Sequence, residues 1–256
     1  MSVGFQQAEA ILLAVTDLQE ADRVVEFLTR EVGKRRGVAR GAKRRFSRFA
    51  GELQPLARVR IGWFEKEGRE LVRISSVELV RAPKPLQGDL EGLLLGAYLA
   101  ETIATFAQEG EPAERLFRLL DSVLEALAAG ADRRLAVRYV ESWVLRLGGV
   151  FPAPTECPLC AAPLTEGAAL AGNGESLICR RCAVGSPGTR PVSAAAVEFW
   201  LRAGRESLSR LAERPPGRAV LDEAGEVLGR VRRHFLGHEL RSLDVLRRTL
   251  GADALA

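Results

Sequence analysis

The sequence predicts an α+β chain: a small N-terminal β-barrel, then an α-helical domain with a cysteine module set into it. Three observations predict this. Apolar residues alternate with a period of two between residues 8 and 80. They recur at spacings of three and four from about residue 86 onward. All four cysteines fall in one proline- and glycine-rich interval, 151 to 192. At 256 residues, 47% hydrophobic and 27% charged, the chain holds enough apolar material for one large domain or two to three small ones.

The barrel elements follow in order. "AILLAV" (10 to 15) is a short apolar run and "VVEFLT" (24 to 29) a second strand. In "LARVRIGWF", Ala57, Val59, Ile61 and Trp63 alternate with Arg58, Arg60 and Gly62. "ELVRISSVELV" keeps Val72 and Ile74 in phase, then slips at Ser75-Ser76 so that Val77 and Leu79 face the core, which predicts a bulge. About five strands in so few residues fit a five-stranded barrel of the oligonucleotide-binding type.

Inside this barrel lies "REVGKRRGVARGAKRRFSR". Arg30, Lys34, Arg35, Arg36, Arg40, Lys43, Arg44, Arg45 and Arg48 stand against one acid, Glu31. The rest of the chain carries 28 basic and 32 acidic groups, so the net charge of +4 comes from this stretch alone. Arginine is favoured over lysine throughout, 33 against 4, which explains the choice of cation but not its clustering. Gly33, Gly37 and Gly41 recur every four residues, as turns or close backbone approaches require, and predict a hairpin plus loop. Phe46 and Phe49 read as core anchors of that loop in preference to stacking platforms.

"RAPKPLQGD" (81 to 89) reads as a linker. Leu90, Leu93, Leu94 and Ala97 then form one helical stripe, and Leu116, Leu119, Leu120, Val123, Leu124 and Leu127 a second. Leu135, Val140, Trp143, Val144 and Leu147 form a third, ended by Gly148-Gly149. After the cysteines, Ser193 caps a helix through "AAAVEFWLRAGRESLSRLA", and two more follow near 218 to 236 and 239 to 250. The expected division is a barrel over 1–82, helical segments over 83–150 and 193–256, and a cysteine module over 151–192.

"CPLC" and "CRRC" place Cys157, Cys160, Cys179 and Cys182 as two C-x-x-C pairs with eighteen residues between them. A tight turn aims both sulfurs of a pair at one point, and four thiolates suit one structural Zn²⁺ in a ribbon, the hairpin turning at Gly172-Asn173-Gly174. Disulfides are the competing reading, disfavoured in a reducing compartment. No stretch of eighteen apolar residues exists and "MSVGFQQAEAILLAV" lacks a secretory leader, so a cytosolic setting is expected. Four thiolates with Zn²⁺ carry −2, which sharpens the contrast with the basic stretch.

Enzymatic motifs are missing. There is no phosphate-binding loop of the G-x-x-x-x-G-K-[ST] form, and "HFLGH" has Phe235 where a zinc hydrolase needs Glu. Neither histidine precedes a cysteine pair in the way a zinc deaminase requires. The chain is expected to be non-catalytic. A solvated charged face normally mixes signs, and a membrane-binding surface wants an amphipathic helix that the glycines oppose. Phosphate contact with little sequence preference is the better reading of the basic stretch. The alternative is a zinc-ribbon scaffold for protein partners with incidental nucleic-acid contact.

Four features together, "GKRRGVARGAKRRFSRFAGELQP" in the barrel, the linker, "LAVRYVESWVLRLGGVFP" and the C-x-x-C pairs followed by "RPVS", resemble the RecO family of bacterial recombination mediators over nearly the whole chain. The resemblance implies an ATP-independent protein of the cytoplasm and nucleoid. It would bind single- and double-stranded DNA, anneal complementary strands, and with RecR help load RecA onto DNA coated by single-strand binding protein. It implies DNA contact by the basic-loop residues Lys34, Arg35, Arg36, Arg40, Lys43, Arg44, Arg45 and Arg48, to which the charge pattern adds Arg30. Arg138 stands where the family's contact for the acidic tail of single-strand binding protein falls, a rim that Arg232, Arg233 or Arg241 would serve equally. Some family members lack the four cysteines, so zinc is not a general requirement for activity.

Overall fold

Period-two alternation becomes five strands. A computed structural model describes residues 3–66, 68–151, 154–172 and 174–251. The chain divides into two compact units, Met1–Ala128 and Ala129–Ala256. The division falls within the segment 83–150, so the first two helices go with the barrel.

In the first unit, β1 (Val3–Leu18), β2 (Asp22–Thr29), β3 (Lys34–Ala39), β4 (Arg58–Lys66) and β5 (Val72–Arg81) close a barrel of order β1-β2-β3-β5-β4. Neighbours are antiparallel except β3 and β5, whose short parallel pairing completes the closure. This is the oligonucleotide-binding-type barrel that the alternation predicts. One phase of every strand fills the interior, among them Leu12, Val25, Phe27, Ile61, Trp63 and Ile74. The expected bulge is present: Gly62 faces Ser76 while Trp63 faces Ile74, leaving Ser75 unopposed.

Gly37 shows why closure needs a glycine. A Cβ there would lie 2.8 Å from side-chain carbons of both Val72 and Ile74, so β3 reaches β5 only without a side chain. Gly33 has φ +64° and a Cβ there would lie 1.9 Å from the Glu111 carbonyl oxygen, so it serves as both turn and close approach.

A 3₁₀ turn (Lys84–Leu86) leads into α1 (Leu90–Phe106), whose Asp89 cap accepts a 2.6 Å hydrogen bond from the Gly92 N–H, and then into α2 (Glu114–Ala128). The apolar stripe expected on α1 is corrected. Leu90 and Leu93 are more than half exposed, and the buried face is Leu95, Tyr98, Leu99 and Ile103. Apolar residues occur around most of this helix, so periodicity alone does not select its face. Arg58 ties α2 to the barrel, donating 2.7 Å to Asp121 and 2.6 Å to Glu9.

The second unit is built on α3 (Arg133–Leu147), capped by Asp132 and ended at Gly148. A three-stranded sheet of β6 (Ala168–Leu170), β7 (Leu177–Cys179) and β8 (Arg190–Val192), with the one-turn helix α4 (Arg180–Ala183), carries the cysteines. Helices α5 (Ala194–Ala203), α6 (Leu208–Glu213), α7 (Arg218–Leu236) and α8 (Arg241–Leu250) follow. Ser193 caps α5 as expected, accepting from the Ala196 N–H at 3.1 Å while Glu223 receives its backbone N–H and its hydroxyl. The single helix expected through Ala212 is two: α5 stops at Gly204, and Ser207 opens α6 by accepting from the Arg210 N–H. Of the expected hairpin turn, Asn173 lies outside the described residues. Its flanks close through the Gly174 N–H donating to the Ala171 carbonyl at 2.8 Å.

Candidate nucleic-acid interface and metal centre

The basic stretch forms the turn after β2, the whole of β3 and the first part of a long loop that runs from Arg40 to β4. Pairing with β2 sets its phase. Arg35 shares the inward phase of Gly37 and Ala39, opposite Phe27, whereas Lys34, Arg36 and Val38 point outward. The loop is pinned at its start, where the Lys43 N–H donates to the Ala21 carbonyl at 2.9 Å and the Gly41 N–H to Asp22 Oδ1 at 2.8 Å. Phe49, 2% exposed, anchors it to the barrel core together with Ala42 and Leu53.

The nine cations therefore divide. Five are engaged by the protein itself. Arg30 lies 3.9 Å from Glu114 with its guanidinium 4.7 Å from the centre of the Phe117 ring. Lys34 Nζ donates to the Ala104 carbonyl at 2.7 Å, tying β3 to α1. Arg35 meets Glu65 at 3.3 Å, Arg36 meets Glu109 at 3.2 Å, and Lys43 meets Asp17 at 2.9 Å. Asp17 keeps its carboxyl below the usual range chiefly through the Lys43 hydrogen bond.

The other four differ. Arg40, Arg44, Arg45 and Arg48 are exposed, and among the described residues no carboxylate comes within 4.0 Å of them. Phe46 stands with them at 92% exposure, the Arg45 guanidinium 5.6 Å from its ring centre. Expecting both loop phenylalanines in the core is thus right for Phe49 and wrong for Phe46. The engaging carboxylates were out of reach of sequence reading: Glu65 is brought in by β4, Glu109 by the segment between α1 and α2 that bridges to Gly33 and Lys34, and Glu114 by α2, and only the register would have exposed Arg35 and Glu65 as neighbours at one barrel end.

The four cysteines converge. Their sulfurs all lie within 4.8 Å of one another, Cys160 and Cys179 at 3.6 Å. A tetrahedral metal with bonds of about 2.3 Å separates its thiolates by roughly 3.8 Å, so the donor set fits. The first pair sits in a tight turn in which the Cys160 and Ala161 N–H groups donate to the Cys157 carbonyl, with Ala161 left-handed at φ 56°. The second pair straddles the end of β7 and α4, whose first turn Cys179 caps. The Ala162 backbone N–H, with neighbouring thiols and Arg181, lowers the Cys160 thiol to about 6, while the surrounding sulfurs, Cys160 first, push Cys182 up to about 12. One thiolate forms readily and the last resists, because packed like charges need a cation among them.

Family models described as the N-terminal and C-terminal parts of recombination protein O match residues 1–83 and 87–244. The DNA repair protein RecO of Anaeromyxobacter sp. (strain K) is 36% identical over 246 residues, 94% of this chain and 97% of that protein. The RecO of Desulforudis audaxviator is 34% identical over 242 residues, 94% and 96%, and that of Desulforamulus reducens 29% over 241, 94% and 93%. The chain belongs to the RecO family. Membership places it in DNA repair and recombination. Among the described residues no helix is long and apolar enough to cross a membrane.

Arg138, where the resemblance implies a partner contact, lies inside the second unit. It is 4% exposed, paired with Glu141, and packed so closely on Gly225 that a Cβ there would lie 2.3 Å from its guanidinium carbon. Arg232, one of the other rim residues, is 2% exposed. Arg233 and Arg241 lie at the surface. His234 and His238 do not join a metal cluster among the described residues.

Proposed function

We propose that this RecO-family chain is an ATP-independent mediator that binds single- and double-stranded DNA through the barrel loop and anneals complementary strands. The observation that carries this is the set of four exposed arginines, Arg40, Arg44, Arg45 and Arg48, on a loop held at both ends by the barrel. Fixed cations that no described carboxylate neutralises can displace counterions from two strands at once, lowering their mutual repulsion so that pairing proceeds without nucleotide hydrolysis. Arg30, Lys34, Arg35, Arg36 and Lys43 position this surface and contribute charge at shorter range. Four phosphate contacts predict a slope of log affinity against log salt of about −3 for single strands. Titrating a labelled oligonucleotide at several salt concentrations tests this, and a flat dependence overturns it.

Partnership with RecR, loading of RecA and contact with single-strand binding protein belong to the same proposal and rest on family membership. We place the contact with the acidic tail on exposed Arg233 and Arg241, since Arg138 and Arg232 are enclosed. The metal is proposed to be one structural Zn²⁺, with Cys157, Cys160, Cys179 and Cys182 filling all four positions and leaving none for a substrate.

A second reading, a scaffold for protein partners, draws on Leu159 and Val184, which project from the two cysteine turns at 67% and 83% exposure. It predicts that function survives alanine at the loop arginines and is lost with Cys157. Strand annealing by the two variants separates the readings.

A further inference from the structure

The outer face of the barrel is covered by helices around Ile11 and Leu28, both fully buried although they lie on the outward phase of their strands. Among the described residues the other end of that face is uncovered. There the registers assemble a single row across all five strands: Phe5 opposite Phe64, Phe64 opposite Arg73, Arg73 opposite Val38, and Val38 opposite Val24. Phe5 and Phe64 are 55% and 37% exposed, with ring centres 5.3 Å apart and tilted at 53°. Gly62 makes the seat for this pair, since a Cβ there would lie 3.2 Å from the Phe5 ring and 2.6 Å from Ser76 Oγ. Arg73 is exposed, and among the described residues no carboxylate comes within 4.0 Å of it. Arg40, exposed, follows β3 directly, two residues after Val38.

We propose that this row is a second contact strip for single-stranded nucleic acid, with Phe5 and Phe64 stacking on unpaired bases and Arg73 and Arg40 meeting the phosphates beside them. The inference rests on the reading of the barrel as a DNA-binding module and adds to it a base-contacting surface apart from the arginine loop and its single exposed ring, Phe46. Strands lie about 4.8 Å apart, so Phe5, Phe64 and Arg73 span about 10 Å, room for adjoining nucleotides. Aromatic faces beside unneutralised guanidinium groups suit a polyanion with flat bases, and every base has such a face, so the strip is indifferent to sequence. Through Arg40 it is continuous with the loop. A purely apolar partner would leave two cations without a carboxylate among the described residues.

The test uses the full chain and three probes: a thymidine oligonucleotide, a duplex of the same length, and an abasic strand carrying the same phosphates. Phe5→Ala/Phe64→Ala is expected to weaken the thymidine strand by about tenfold to a hundredfold. It should leave the abasic strand, the duplex and the salt slope as in the wild type. Arg73→Ala should lower the slope by about 0.7. Phe5→Leu/Phe64→Leu keeps apolar volume without the π face and should match the alanine variant, with an unchanged melting temperature. Equal binding of the thymidine strand by wild type and both double variants overturns the strip. So does a parallel loss on all three probes. A change in sedimentation without any change in binding would assign the face to a second copy of the chain, and also overturns it. Loss of binding in Arg44→Ala/Arg45→Ala/Arg48→Ala beside full binding in Phe5→Ala/Phe64→Ala sinks the strip and leaves the loop standing.

Discussion

Arg232 Nη1 lies 3.2 Å from Glu141 Oε1 with both side chains closed off from solvent, 2% and 4% exposed. Arg138 shares the same carboxylate, and Arg232 also donates to Glu239 at 2.6 Å. One acid from α3 thus answers two enclosed guanidinium groups. Glu141→Ala would remove the carboxylate that both share, a loss of about 3–5 kcal/mol for a broken buried pair. Urea unfolding of the variant should show a free-energy loss of that size, read as a lowered midpoint at unchanged slope, and an unmoved midpoint would contradict the placement.

The loop and the strand should respond differently to alanine. Arg44→Ala/Arg45→Ala/Arg48→Ala removes three exposed cations, so the single-strand salt slope should shrink by about 2 with stability unchanged. Lys34→Ala instead removes the donor to the Ala104 carbonyl, which should lower stability by about 1–2 kcal/mol with a smaller effect on the slope. If Lys34→Ala changes the slope as much as the loop variant does, the engaged and exposed groups are wrongly divided.

The contrast also shows what the sequence disclosed. Alternation exposed the barrel, the slip at Ser75-Ser76 and the core anchor Phe49, because strand period and turn chemistry are local. The cysteine cluster was legible for the same reason: each C-x-x-C pair closes its own turn. Which cations stay free was not legible, since Glu65, Glu109 and Asp17 meet their partners only through pairing and packing. Helix α1 failed locally as well. Its apolar residues nearly encircle it, and the barrel chose Leu95, Tyr98 and Leu99 over Leu90 and Leu93.

Acid should loosen the first unit through its ion pairs. Glu9 is held below its ordinary value of 4.5, first by the hydrogen bond from Arg58, and Asp17 below 3.8 by Lys43. A depressed carboxyl contributes stability above its unfolded value, and that stability is lost as pH falls through the folded one. The melting temperature should therefore be level from pH 7 to about 5 and fall below 4.5. Glu9→Gln should flatten part of that fall, and an equally steep fall in the variant would remove Glu9 from the account.

Closure of the barrel at β3 and β5 depends on an absent side chain. Gly37→Ala puts a methyl 2.8 Å from carbons of Val72 and Ile74, and overpacking of this kind costs about 1–3 kcal/mol. The arginine loop begins three residues later, so the variant should both melt earlier and bind single strands less tightly. Val72→Ala added to it should recover part of the stability by making room. Lack of any recovery would mean that the strain lies elsewhere.

Metal removal should act on the cysteine sheet and spare the barrel. Strands β6, β7 and β8 have three residues each, too short to hold together in water by pairing alone. Cys157 and Cys179, 1% and 8% exposed, bring the first cysteine turn and the sheet to one shared centre. Four thiolates without a cation repel one another, so the free energy of metal binding becomes folding energy for residues 154 to 192. The isolated chain should carry one zinc. Chelation, or Cys157→Ser, should expose the backbone amides of Ala168 and Leu170 to hydrogen exchange while those of Ile61 and Ile74 keep their protection. Oligonucleotide affinity should persist after chelation, because the exposed arginines sit on the barrel and need no metal to be held. Loss of binding together with the zinc would move the nucleic-acid surface off the barrel.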